Sequence, residues 1–245
     1  MRYAFISDVH SNLEALSAVL KKIDGSAIDE IVCLGDIVGY NANPNECVEI
    51  IKTRNIKCIM GNHDSRAAGL KEPDDFNYLA RDAILWTRKQ LKEEYLTFLK
   101  TLPRKLYIEN NKIVVVHGSV NSTDDYILSL SDVADNFRMM GEESGVNICF
   151  FGHTHVRIGY KEANANIYPF YENKIMIEDS VRYLINPGSV GQPRDGDPGA
   201  SFLIYDTNVK TMEFYRVEYD REKTCEKIVR AGLHIELAER LTVGW

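Results

Sequence analysis

The chain has few cysteines and no long apolar run, the features that mark disulfide-rich and membrane proteins. It has five cysteines among 245 residues, an odd number at irregular spacings, and no Cys-x-x-Cys pair occurs. This usage favours reduced thiols and a cytoplasmic location over a disulfide framework. No apolar run approaches the ~20 residues that a membrane helix needs, and the N-terminal residues enter a strand-like run without the apolar region of a signal peptide.

Basic residues are also fewer than acidic residues. Asp and Glu outnumber Lys and Arg by 36 to 29, which gives a formal charge of −7. An acidic chain repels nucleic acid and anionic lipid at long range, so neither is an expected partner. A small phosphorylated substrate remains compatible, because bound metal cations invert the local field. With 44% hydrophobic residues and no linker-like stretch, we expect one globular domain over residues 1–245.

The first part of the chain alternates strand-like and helix-like segments. Asn12 is a plausible N-cap for an amphipathic helix, and Pro44 is well placed to begin another. A βαβαβα order predicts a parallel sheet with right-handed crossovers. The expected strands are residues 3–7, 31–34 and 56–60, and the expected helices are residues 13–24, 45–53 and most of 75–101.

The second part is richer in short strands, largely antiparallel, before a helical tail from about Arg221. Asn110-Asn111 is typical of a hairpin turn by its residue types. Residues 64–82 and 119–145 are expected to form the rim of a functional site. The sum is an α/β (α+β) fold with two stacked mixed sheets and helices outside. The expected strands are residues 106–109, 112–117, 147–151, 156–161, 174–177, 183–186, 200–206 and 211–218.

Five of the six histidines share one context, at or just after the end of an apolar strand-like run. In a sheet built this way, ligands bind outside the carboxyl ends of the strands. Five loops therefore deliver Asp, Asn and His side chains to one crevice. The segments are Asp8-Val9-His10, Gly35-Asp36, Gly61-Asn62-His63-Asp64, Val116-His117-Gly118 and Gly152-His153-Thr154-His155.

These residue types point to metal chemistry. Imidazole nitrogens and carboxylate oxygens suit divalent Zn, Mn, Fe, Ni or Co. Asp8 and His10 are two residues apart and point the same way from an extended segment. Asp36 has two oxygens and can bridge a pair of ions. Two ions about 3.5–4 Å apart can generate a hydroxide and steady the attacking and leaving oxygens of an in-line displacement.

Each motif taken alone has a plainer explanation. Asp-x-His is more often a loop pair than a ligand pair, and a single His117 after an apolar run is more often a hydrogen-bonded core histidine. Gly-Asn-His-Asp can be a turn. Five such motifs in order at strand ends favour a metal site jointly. His234 lacks this context and is expected to be an ordinary helix-surface or packing residue.

The ordered set D-x-H, G-D, G-N-H-D/E, H and G-H-x-H resembles that of the calcineurin-like metallophosphoesterases. The resemblance covers residues 3 to about 195. It implies a four-layer αββα sandwich and a hydrolase with a dinuclear metal centre. It also implies two ligand sets: Asp8, His10, Asp36 and His155 for one ion, and Asp36, Asn62, His117 and His153 for the other.

The resemblance also assigns roles around the substrate. His63 would face the substrate phosphate or the leaving oxygen, with Asp64 as its orienting partner, and Asn62 would touch the substrate as well. Arg194, in a Gly- and Pro-rich loop similar to that of the small phosphodiesterases, is a candidate for binding the phosphate; a solvated surface arginine is the alternative.

The implied reaction is hydrolysis of a phosphoric ester, with a phosphodiester favoured. Protein phosphatases and symmetric dinucleoside tetraphosphate hydrolases carry an arginine after the G-D motif, where this chain has Ile37-Val38-Gly39-Tyr40, and a glutamate where it has Asp64. The alternatives are a phosphomonoesterase or nucleotide phosphatase, a nuclease, and an inactive scaffold of the same fold. A scaffold predicts missing ligands, and none of the expected ligand types is missing.

Overall fold

The structure is a computed structural model that describes residues 1–143 and 145–245. Its strands are β1 (Arg2–Ile6), β2 (Glu30–Cys33), β3 (Lys57–Cys58), β4 (Leu106–Ile108), β5 (Ile113–Val115), β6 (Ile148–Phe150), β7 (Ile158–Ala163), β8 (Asn166–Phe170), β9 (Lys174–Met176), β10 (Arg182–Asn186), β11 (Ala200–Asp206) and β12 (Thr211–Val217). Its helices are α1 (Leu13–Asp24), α2 (Pro44–Thr53), α3 (Asn62–Ala67), α4 (Tyr78–Gln90), α5 (Glu93–Thr101), α6 (Leu130–Glu142), α7 (Arg221–Arg230) and α8 (Ile235–Val243). Within these ranges, none of the helices has the length and apolarity to cross a membrane.

The strands form two mixed sheets of six. The first has the order β3-β2-β1-β11-β12-β9, and the second has the order β4-β5-β6-β10-β7-β8. In the first sheet β1, β2 and β3 are parallel, and in the second β5, β6 and β10 are parallel. The remaining neighbours pair antiparallel. Each sheet therefore brings the carboxyl ends of three strands to one edge.

The two sheets pack face to face through alternate residues of their strands. In β1, Tyr3 and Phe5 belong to the apolar cluster between the sheets, whereas Ala4 and Ile6 belong to the cluster under the helices. Phe5 stacks on Phe150 of the other sheet with ring centroids 3.7 Å apart. Successive side chains of a strand point to opposite faces of its sheet, and in β1 the side chains on both faces are apolar.

Helices cover the outer face of each sheet. Leu16 and Val19 of α1 are buried against the first sheet, and Phe137 and Met140 of α6 are buried against the second. The side chain of Asn12 accepts a hydrogen bond from the backbone N–H of Ala15 and so begins α1 where the sequence predicts. The result is the expected αββα order of layers.

The structure differs from the sequence prediction in four respects. Strand β3 is only two residues long. Strand β8 and helix α6 were not predicted: β8 contains Pro169 at a sheet edge, where propensity is a weak guide, and α6 lies inside the expected rim segment. The second sheet is also less antiparallel than expected, because β5, β6 and β10 are parallel.

Phe150→Ala should destabilise the fold by about 3–5 kcal/mol, because it empties a fully buried ring position between the two sheets. Chemical denaturation followed by circular dichroism measures the change. Tyr171→Ala is the matched control, since that side chain is 67% exposed and surface changes stay within about 0.5 kcal/mol. Equal effects of the two substitutions would contradict the packing described here.

Candidate metal centre

The loops after β1, β2, β3, β5 and β6 converge at one edge of the sandwich. They bring together all the residues that the sequence predicts as ligands, and every one of these side chains is buried. The parallel strands explain the convergence, because their carboxyl ends meet at the same edge. The converging residues are Asp8, His10, Asp36, Asn62, His63, His117, His153 and His155.

The first group contains Asp8, His10 and His155. The Nε2 atoms of the two histidines are 3.0 Å apart, and each lies within 3.8 Å of Asp8 Oδ1. The Nδ1 atoms approach the backbone carbonyls of Val38 at 3.1 Å and Gln192 at 2.7 Å. A carbonyl can only accept, so Nδ1 carries the proton and both Nε2 lone pairs face each other. Two facing lone pairs fit a cation held between them.

The second group contains Asp36, Asn62, His117 and His153. His117 Nε2 lies 3.2 Å from Asp36 Oδ2 and 3.0 Å from Asn62 Oδ1, while its Nδ1 donates to the carbonyl of Leu34 at 2.8 Å. The rings of His117 and His153 are 5.2 Å apart. This group repeats the pattern in which a backbone carbonyl fixes the tautomer of a histidine and aims its other nitrogen inward.

Asp36 joins the two groups through one oxygen. Its Oδ1 accepts the backbone N–H of His63 at 2.8 Å. Its Oδ2 is buried without a hydrogen-bond partner and lies 3.6 Å from His10 Nε2 and 3.2 Å from His117 Nε2. A buried carboxylate oxygen with no donor is costly unless a cation compensates it. The chemistry of this donor set therefore fits a metal ion.

Three sets of side chains have ligand atoms close enough to hold a metal ion. They are Asp8 with His10 and His155, Asp36 with His117 and His153, and His10 with Asp36 and His63. The third set includes His63, which the sequence placed outside the ligand set. Its membership makes the metal content of a His63 variant the decisive measurement.

Burial and the charges of neighbouring side chains together set the pKa values in the cluster. Burial lowers the pKa of His10 and of His153 to about 3, so these rings are neutral and their free nitrogens can bind a metal. Burial alone would raise the pKa of Asp36, but the neighbouring histidines His117, His63 and His10 together outweigh burial and hold that pKa well below its usual range. Asp36 in turn overcomes burial and raises the pKa of His117 to about 10. A proton and a metal ion therefore compete for this pair.

Five of the candidate ligands have left-handed backbone conformations, which non-glycine residues rarely adopt. Such conformations cost on the order of 1–3 kcal/mol each and cluster at functional sites. Backbone hydrogen bonds between the loops hold them, including Asp8 N–H to Gly35 at 3.1 Å. The residues are Asp8 (φ 54°), His10 (φ 47°), Asp36 (φ 52°), His153 (φ 66°) and His155 (φ 59°).

Two glycines allow the backbone to touch the carboxylates. A Cβ atom on Gly61 would lie 2.0 Å from Asp36 Oδ1, and one on Gly152 would lie 2.9 Å from Asp8 Oδ2. Both distances are shorter than any van der Waals contact. Glycine is therefore required before Asn62 and before His153 for reasons of space.

Asp64 does not orient His63, contrary to the expectation from the sequence. Its carboxylate accepts hydrogen bonds from the backbone N–H groups of Gly61 at 3.1 Å and Val38 at 3.2 Å. The Nδ1 atom of His63 is buried without a hydrogen-bond partner. Through these two hydrogen bonds Asp64 ties the loop after β2 to the loop after β3.

Two aromatic side chains pack against the ring of His63. The ring of Tyr40 and the ring of Phe76 each lie 4.6 Å from it between centroids. Burial holds the pKa of His63 well below its usual range, so the imidazole is neutral. No motif in the sequence predicts this packing, since Tyr40 and Phe76 lie outside the metal-ligand motifs.

Arg194 lies at the edge of the cluster and is not a freely solvated surface residue. Its Nη2 donates to Tyr40 Oη at 3.2 Å and to Gln192 Oε1 at 2.9 Å, and its Nε is buried without a partner. Burial, and then the charge of Arg194, holds the pKa of His155 well below its usual range. The guanidinium is therefore near enough to act on an anion at the centre.

The expected rim segments do reach the centre. Phe76 comes from the segment of residues 64–82 and Tyr126 from the segment of residues 119–145, and both line a cavity of about 350 Å³ together with His63 and His153. His234 lies away from the cluster, where it contacts Asp82 at 2.8 Å.

Comparison with known proteins agrees with this architecture. The family described as the calcineurin-like phosphoesterase superfamily domain matches residues 1–210. An uncharacterized protein of Methanocaldococcus jannaschii is 44% identical, with 98% of this chain and 97% of that protein covered. A metallophosphoesterase from Sphaerobacter thermophilus is 40% identical in sequence, and its crystal structure superposes on this one with a TM-score of 0.85. The match covers 100% of this chain and 99% of that chain.

A hypothetical protein from Pyrococcus horikoshii shares the fold at 24% identity, with a TM-score of 0.82 over 100% of this chain and 98% of its own. The match to the family extends over most of the chain and includes all the converging loops. The chain therefore belongs to the calcineurin-like phosphoesterase superfamily.

Proposed function

We propose that the protein is a phosphoesterase that depends on two divalent metal ions and cleaves a phosphodiester of a small substrate. The observation that carries the proposal is the position of Asp36 Oδ2, buried without a donor between two histidine groups. Mn, Fe, Zn, Ni or Co would suit these donors. The first ion would be held by Asp8, His10, Asp36 and His155, and the second by Asp36, Asn62, His117 and His153.

Two such ions supply Lewis-acid charge to phosphoryl oxygens and lower the pKa of water. The residues of the chain do the rest. Asp8 accepts the backbone N–H of His153 at 3.2 Å and so holds the loop after β6 against the loop after β1. Asn62 presents its amide beside the substrate position. Backbone carbonyls keep the histidines in one tautomer, so the ligands are set before an ion arrives.

His63 is the proposed contact to the leaving oxygen. Burial keeps it neutral, so one ring nitrogen carries a proton that it can donate as a hydrogen bond to that oxygen. Its Nδ1 has no partner within the described structure, and Tyr40 and Phe76 pack on its ring. Asp64 supports this position indirectly by joining the loops on either side.

Arg194 is the proposed cation for a non-bridging phosphoryl oxygen. The other buried arginine near the cluster, Arg66, is already paired with Asp75 and Asp124 at 2.6 and 2.7 Å. One available guanidinium suits the single negative charge of a diester better than the nearly two charges of a monoester. A phosphomonoesterase remains the second candidate, because Arg194 and two metal ions together can neutralise a dianion.

Asp36→Asn should lose metal at both positions. An asparagine that keeps the hydrogen bond from His63 N–H must aim its NH2 group at the centre, where a ligand oxygen is needed. Metal content per chain, measured after dialysis, checks this. Asp179→Asn is the control, since that carboxylate contacts only the exposed Lys210 among the described ion pairs. Two full equivalents of metal in Asp36→Asn would exclude a shared ligand.

His10→Ala should mainly empty the first metal position, because His10 is a proposed ligand of the first ion alone.

His63→Ala should keep both metals and lower kcat by about 10²–10⁴-fold, the usual contribution of a positioned proton donor. Steady-state kinetics and metal analysis are made on the same preparation. His234→Ala serves as the histidine control and should leave both quantities unchanged. If His63→Ala purifies with one metal missing, the third set of side chains is the real ligand set and the proposed role is wrong.

The enzyme should prefer an activated diester to the matching monoester. The chain has no arginine after its G-D motif, and Arg194 is the one cationic side chain that we assign to the phosphoryl group. The measurement is kcat/KM for bis-p-nitrophenyl phosphate and p-nitrophenyl phosphate with Mn²⁺ at one pH, each divided by its uncatalysed rate. A monoester preference after this correction would favour the phosphomonoesterase and make Arg194→Ala the next variant.

A further inference from the structure

A cavity of about 350 Å³ opens beside the candidate metal centre. Its size is at the lower end of the ~300–1,000 Å³ that small-molecule pockets occupy. Three of its lining residues belong to the centre, namely Asn62, His63 and His153. Three others are aromatic, namely Tyr40, Phe76 and Tyr126. A substrate whose phosphoryl group lies at the centre therefore has an aromatic cavity next to it.

The aromatic rings are held in place by the centre itself. Phe76 packs on His63 with centroids 4.6 Å apart, and the guanidinium of Arg66 lies 4.4 Å from the same ring. Arg66 is fully buried and paired with Asp75 and Asp124, one carboxylate from each rim segment. The wall is therefore preorganised, which lowers the entropy cost of ligand binding.

Tyr126 has an unusual position for a tyrosine near the centre. Its ring stacks on the ring of His153 at 3.9 Å with an interplanar angle of 27°, yet the residue remains 47% exposed. One face of the ring is thus occupied by a candidate metal ligand, and the exposure belongs to the rest of the side chain. An aromatic side chain that only stabilises the fold would bury more of its surface than Tyr126 does.

We propose that this cavity is a subsite for a flat aromatic group of the substrate, held against Tyr126 and Phe76 beside the phosphoryl group. The proposal rests on the proposed function, because it needs the phosphoryl group at the centre. A nucleobase and a simple aryl group share the chemistry that these rings recognise, since each has a π-face that stacks on an aromatic side chain. An alkyl ester offers no such face.

Binding of small phosphonates to the Mn²⁺-loaded protein tests the subsite without turnover. Phenylphosphonate and methylphosphonate carry the same head group and differ in the flat ring, while cyclohexylphosphonate has similar bulk but is not flat. By calorimetry, phenylphosphonate should bind about 5- to 100-fold more tightly than methylphosphonate, the range expected for stacking of one ring. Cyclohexylphosphonate should gain clearly less. A second pair, adenosine 5′-monophosphate and ribose 5-phosphate, asks whether the aromatic group is a nucleobase.

Tyr126→Ala and Phe76→Ala should bring the ratio of phenyl to methyl affinity towards one, and Tyr126→Phe should retain it. Tyr78→Ala is the control, because Tyr78 is 60% exposed and packs on His234 away from the cavity. Equal binding of the phenyl and methyl compounds, together with equal binding of the nucleotide and the ribose phosphate, overturns the subsite and leaves the phosphate site standing. Equal gains from phenyl and cyclohexyl overturn the requirement for a flat group. Failure of all five compounds to bind a metal-loaded chain overturns the proposed function instead.

Discussion

The buried carboxylate of Asp36 is the constraint on which the rest of the centre depends. A carboxylate removed from water must be compensated, and its two oxygens are compensated differently. One receives the backbone N–H of His63, while the other faces His10 and His117 with no donor. The surrounding histidines, their carbonyl partners and the close approach of Gly61 to Oδ1 all help to keep the carboxylate in place. A carboxylate oxygen placed between histidines of both groups suits cations.

The sandwich explains how so many polar groups can be fixed in a small volume. Three parallel strands of each sheet end at the same edge, so loops from both sheets face one another across the cluster. The sheets are locked by buried contacts such as Phe5 on Phe150, and the loops are locked by hydrogen bonds from one loop to the next. Left-handed residues persist in such loops because neighbouring bonds over-determine their conformation. Rigidity near the ligands is therefore a property of both sheets together.

The sequence predicts the converging residues well, because each lies in a short motif at the end of an apolar run. Asp8, His10 and Asp36 needed only the rule that parallel strands end at one edge. What the sequence does not predict depends on contacts between distant residues. Asp64 bonds to Val38 and Gly61 because the loops after β2 and β3 fold against each other. Strand β8 and the aromatic cavity are likewise set by tertiary packing, which overrides local propensity.

The position of β1 in its sheet has a consequence for the growing polypeptide. The loop that follows this strand carries two of the proposed ligands, yet one of the strand's two neighbours is β11, which begins at Ala200. Contacts between such distant segments form late and slow down folding. During synthesis, one edge of β1 therefore stays unpaired until β11 has been made. We therefore expect the loop after β1 to reach its final position, and the centre to become able to bind metal, late in folding.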